Sequence, residues 1–110
     1  MKFTANITAQ NQTVYLCTIK KKRDLTNWIG AMLIYGTWGG GTATFYISPD
    51  GGTTKIPWKD VSGNTFAATA DDNFTTNWGR GSTNSDMPQI YVGIGGATNP
   101  SLTIDCYDNN

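Results

Sequence analysis

A chain of 110 residues supports one domain, with a core that hides about two-thirds of the surface the unfolded form exposes. All eight acidic residues are Asp, Thr and Asn are abundant, and Gly numbers 13, a composition that disfavours helix surfaces and suits pleated ones. Eight basic and eight acidic side chains give no net charge, which excludes the electrostatic footprint of a general nucleic-acid binder.

In chain order, Phe3, Ala5 and Ile7 alternate with Lys2, Thr4, Asn6 and Thr8, the pattern of a half-buried strand. Val14 to Cys17 is apolar without interruption and predicts a more central strand. The charge run Lys20, Lys21, Lys22, Arg23 reads as a solvated loop that could touch an acidic partner surface. Leu25, Trp28, Ile29, Met32 and Leu33 have helical spacing with Asp24 as N-cap, so a helical turn before a strand at 31–35 is an open alternative that Gly30 weakens. After the glycine bend "GTWGGGT", Ala43, Phe45 and Ile47 alternate with polar or aromatic neighbours. Segments 55–58 and 65–69 are weaker strand candidates, and "ADDN" and "GRGSTNSD" read as breakers. Ile90, Val92 and Ile94, then Leu102, Ile104 and Cys106, complete the alternating segments. Eight or nine short strands with turns at this spacing predict an all-β fold, an antiparallel β-sandwich or jelly-roll-like domain spanning 1–110.

No apolar run reaches the length of a membrane helix or of a signal peptide's apolar block, so cytosolic synthesis and no membrane partner are expected. Cys17 and Cys106 lie in apolar segments and read as buried free thiols; a disulfide is expected only if their strands are neighbours.

The stretch "SPDGGTTK" sets Ser48, Asp50, Gly52 and Thr54 at alternate positions, which resembles the Asp-box repeat of sialidases and related propellers, S-x-D-x-G-x-T-W. Lys55 stands where that repeat has Trp. No repeat at blade length exists, so a single copy is a hairpin: Pro49 suits the first central position, Gly51 and Gly52 allow positive φ, and Asp50 accepts from the turn's amides. These four residues are read as structural.

Chemistry is sparse. Without histidine the chain lacks the usual general base and the commonest zinc ligand, and the Asp residues mostly neighbour turn residues. No enzymatic activity, cofactor, metal or catalytic residue is expected. Partner contacts are assigned to Trp38, Trp78 and Arg80 beside turns and to the run from Lys20 to Arg23; Trp near loops either anchors an interface or caps a small core. The strand carrying Phe3, Ala5 and Ile7 is assigned to an oligomer contact by pairing with a neighbouring sheet edge.

The order "GTWGGGTATFYISPDGGTTKIPW" and, later, "IYVGIGGATNPSLTIDCY" resembles small β-sandwich proteins of tailed-phage particles. The resemblance covers about half the chain and implies a virion structural protein of the capsid-decoration type, a homo-oligomer (dimer or trimer) bound to the major capsid protein or another virion protein. The alternative is a carbohydrate- or receptor-binding module of a phage tail or fibre that stacks sugars on Trp38, Trp58 or Trp78.

Overall fold

The computed structural model describes residues 1–19, 27–60, 62–79 and 88–109, with the backbone alone at 27, 78 and 79. Among these there is no helix, and nine antiparallel strands form two sheets. They are β1 (Lys2–Ile7), β2 (Thr13–Thr18), β3 (Asn27–Thr37), β4 (Thr42–Ser48), β5 (Ile56–Pro57), β6 (Ala67–Ala68), β7 (Asp72–Gly79), β8 (Gln89–Gly95) and β9 (Ser101–Asp108). The first sheet has the order β1-β9-β3-β7 and the second β2-β8-β4-β5, with β6 also on the β4 edge. The chain changes sheet at every connection except those linking β4, β5 and β6.

The alternating segments behave as their pattern dictates. Ala5 and Ile7 from β1, Ala43, Phe45 and Ile47 from β4, Ile90, Val92 and Ile94 from β8, and Leu102, Ile104 and Cys106 from β9 are buried between the sheets. Burial of these side chains, at about 25 cal/mol per Å² of apolar surface, is the main force joining the layers.

Three expectations are corrected. The helical alternative before residue 31 is overturned: 27–37 is one continuous strand, central in its sheet between β9 and β7. Trp28, Met32 and Ile34 point inward while Ile29, Leu33 and Tyr35 stand on the outer face, so apolar residues on both faces of a strand imitated helical spacing. Asp24 and Leu25 of that reading lie outside the described residues. Gly30 belongs to the inward row, where an added Cβ would overlap the benzene edge of Trp28.

The segment from Val14 to Cys17 is an edge strand rather than a central one, since β2 pairs only with β8. Its register shifts between Tyr15 and Cys17, and this bulge lets both Leu16 and Cys17 enter the core. An unbroken apolar run here records a bulge, not burial on two faces. The "ADDN" breaker opens β7, a strand of eight residues that alternates Phe74 and Thr76 with Asn73, Thr75 and Asn77.

The sandwich closes differently along its two long sides. Where β7 faces β5 and β6, aromatic rings form a continuous row: Trp28 with Trp58 (6.4 Å between centroids), Trp58 with Phe66 (5.3 Å), Phe66 stacked on Phe74 (4.5 Å), and Phe74 edge-to-face with Phe45 (4.8 Å). Where β2 approaches β1 and β9, Phe3 is the aromatic residue of β1 packed against an otherwise aliphatic or small lining, and the buried thiols of Cys17 and Cys106 meet at 4.0 Å between sulfurs. Their strands are in opposite sheets, so the pair faces across the core and not along a ladder.

Candidate functional site

Because β3 is central and its odd positions face outward, the outer face of the first sheet carries a row of large apolar groups over its middle. Ile29 is 47% exposed, Leu33 37%, Tyr35 43% and, one strand away on β9, Tyr107 45%. Register places Lys2, Tyr107, Ala31 and Thr75 side by side in one transverse row, Thr4, Asp105, Leu33 and Asn73 in the next, and Asn6, Thr103 and Tyr35 in a third. Exposed apolar groups gathered on one face mark a contact surface more than singly scattered ones do.

Asp105 lies at the centre of that face yet is only 4% exposed, because neighbouring side chains fold over it. The Thr4 hydroxyl donates to one carboxylate oxygen (2.7 Å) and the Tyr35 hydroxyl to the other (2.9 Å). The Thr4 hydrogen bond, then that of Tyr35 and the charge of Lys2, hold the carboxyl below its usual range against the opposing effect of burial. The partners shift in turn: Tyr35 is raised, chiefly by its hydrogen bond to Asp105, and Lys2 is raised by the Asp105 charge. The Lys2 ammonium also stands 5.6 Å over the Tyr107 ring. An Asp kept ionised in this way acts as a fixed acceptor that orients Tyr35 and Thr4, and it has no proton to give at neutral pH.

The outer face of the second sheet is organised by the Ser48 to Lys55 turn. The buried Ser48 hydroxyl donates to Asp50 (3.0 Å) and accepts the Gly52 amide (2.8 Å), while the same Asp50 oxygen accepts the Thr54 amide (2.7 Å). Thr54 is the main cause of a lowered Asp50 pKa, with Ser48 adding to it. Lys55 donates to the Gly52 carbonyl and lies 5.1 Å over the Tyr91 ring, whose hydroxyl donates to the Gly51 carbonyl. The position that is Trp in an Asp box is thus held here by a cation on a tyrosine. Tyr91 in turn lies between Tyr15 and Tyr46 in register, giving a transverse tyrosine row across β2, β8 and β4. Tyr15 meets Tyr91 edge-to-face at 5.6 Å and is half exposed.

Of the sequence-assigned residues, those among the described ones occupy separate places. Trp38 is half-buried, and its indole N–H donates to Asp71 (2.9 Å), which also accepts the Gly36 amide. Trp58 is buried in the aromatic row, so it offers no stacking platform. Trp78 sits opposite Trp28 in the β3 and β7 register, its side chain outside the described residues. Lys20, Lys21, Lys22, Arg23 and Arg80 also lie outside them. The side chains of Ala5 and Ile7 are in the core and Phe3 packs against it, so an oligomer contact through β1 would use its unpaired backbone edge and the outward Lys2, Thr4 and Asn6.

Sequence alone does not reveal the face built on Ile29, Leu33, Tyr35 and Tyr107, because Ile29 and Leu33 fit the helical spacing from Leu25 to Leu33, and Tyr107 joins them only through the pairing of β3 with β9. Among the described residues no three His, Cys, Asp or Glu side chains converge as a metal site. Comparison with family models, with curated proteins and with solved structures gave no match.

Proposed function

We propose that the chain is a virion structural protein of the capsid-decoration type, which attaches to an assembled phage shell through protein–protein contacts. The observation that carries this reading is the apolar row Ile29, Leu33, Tyr35 and Tyr107 on the outer face of one sheet. Its surround is polar, with Thr, Asn and one charge of each sign in Lys2 and Asp105, which suits a protein surface better than a nucleic acid or a charged lipid. The turn motifs that resemble tailed-phage sandwich proteins point the same way. A ligand of the assembled lattice that ignores free subunits stabilises the lattice by mass action, and repeated copies multiply modest contact energies.

A second reading, a carbohydrate-binding module, draws on the tyrosine row Tyr15, Tyr91 and Tyr46 in place of the tryptophans first assigned to it. Co-sedimentation of the purified chain with DNA-free tailed-phage shells, compared with unassembled capsid subunits, separates the two. Retention by shells alone, lost in Leu33→Lys, supports decoration. Indifference to shells, together with saturable glycan binding that quenches tyrosine and tryptophan fluorescence, overturns it.

A further inference from the structure

Cys17 and Cys106 are both fully buried, with their sulfurs 4.0 Å apart across the interface between the sheets. A disulfide needs about 2.05 Å between sulfurs, so the pair must close by roughly half its present separation. The strand that has to give is β2, which is hydrogen-bonded on one side only and is bulged at this position. Bulged edge strands shift more readily than strands paired on both sides. This is also the side of the sandwich that lacks the aromatic row joining β7 to β5 and β6.

We propose that Cys17 and Cys106 are a disulfide site that staples the two sheets when the chain folds in an oxidising medium and remains a pair of buried thiols when it folds in a reducing one. The oxidant is a small-molecule disulfide such as oxidised glutathione. One cysteine thiolate attacks it, forming a mixed disulfide and releasing one glutathione thiolate, which takes up a proton. The second cysteine thiolate then attacks the protein-bound sulfur, the bond to glutathione breaks, and a second glutathione leaves. Two protein thiols lose two protons and two electrons, and the small disulfide is reduced to two thiols.

In the folded reduced chain the hydrogen bond to Cys106 and burial both push the Cys17 thiol up, so little thiolate exists to start this exchange. The step therefore belongs to the folding chain, before the sheets close, and the finished protein keeps the state in which it folded. With the two cysteines 89 positions apart in sequence, the cross-link encloses most of the chain and restricts the unfolded ensemble strongly.

The test refolds the full chain from denaturant in reduced or in oxidised glutathione and then alkylates it under denaturing conditions. Oxidative refolding is expected to give a monomer lighter by two hydrogens, without alkylation, and with a melting midpoint raised by on the order of 10 °C. Folded reduced chain moved into oxidised glutathione is expected to keep both thiols for far longer than the unfolded chain does. Two alkylatable thiols, stable glutathione adducts or cross-linked dimers after oxidative refolding would overturn the proposal, as would a bridged form melting below the reduced one. Cys106→Ala and, separately, Cys17→Ala are expected to remove the oxidation-dependent shift; because the mass readout uses the unaltered chain, a variant that fails to fold leaves the test intact.

Discussion

Gly30 lies beneath the indole of Trp28, and the missing side chain of the one is the space occupied by the other. Replacing Gly by Ala within a strand ordinarily costs nothing and relieves some chain entropy. Here Gly30→Ala is expected to destabilise by about 2 kcal/mol, because the ring is fully buried and has nowhere to move. Urea unfolding of Gly30→Ala, Trp28→Phe and the double variant should show strong coupling, the double variant losing less than the two single losses summed.

Asp105 links β1 and β3 across β9 through Thr4 and Tyr35. Tyr35→Phe and Thr4→Ala are each expected to lower the midpoint of chemical denaturation. The folded pKa of Asp105 is depressed, so its contribution is complete above the ordinary carboxylate value and is lost as pH falls through the depressed one. Melting midpoints should drop below about pH 4, and the drop should be shallower in Asp105→Asn.

The Ser48 to Lys55 turn is held by one carboxylate oxygen, and Asp50, like Asp105, has a depressed pKa whose benefit disappears on acidification. Asp50→Ala should lower the urea midpoint and flatten part of the same acid limb. Gly52→Ala should cost more, since residue 52 has φ +101° and a Cβ would press on the Tyr91 hydroxyl. Comparing the acid limbs of Asp50→Ala, Asp105→Asn and the double variant tells whether the two sites act independently.

Phe74 stacks on Phe66 and meets Phe45 edge-to-face, bridging the two sheets on one side of the sandwich. Phe74→Ala is expected to cost about 3 kcal/mol in urea unfolding. Leu33→Lys, on the outer face of the adjacent strand and opposite the ionised Asp105, should change the same measurement by under about 1 kcal/mol while removing shell binding. A loss of stability as large as that of Phe74→Ala would assign Leu33 to the fold and not to a partner.

Fold class was legible because period-two alternation is a direct imprint of a half-buried sheet, and Phe3 to Ile7, Ala43 to Ile47, Ile90 to Ile94 and Leu102 to Cys106 all carry it. Three segments misled for identifiable reasons. A central strand with a functional-looking outer face has apolar residues on both sides, so Trp28 to Leu33 imitates a helix; a bulge at Tyr15 and Cys17 imitates double-sided burial. Aspartates at its start hid β7, since Asp71 and Asp72 read as a turn although Asp71 is the acceptor that fastens Trp38 and Gly36. The candidate face was illegible as a unit because it is assembled by register: Leu33, Asp105 and Thr4 become neighbours only once β9 lies between β1 and β3.

That placement of β9 governs how the molecule comes into being. Lys2 pairs with Tyr107 and Ile7 with Leu102, so β1 waits for β9, with seven other strands between them in sequence, and its edge is bare until β9 emerges. High contact order of this kind slows folding to the millisecond-to-second range and leaves β-edges open meanwhile. The outward Lys2 then doubles as a guard during that interval, a charge that discourages two incomplete chains from zipping together before their own ninth strand arrives.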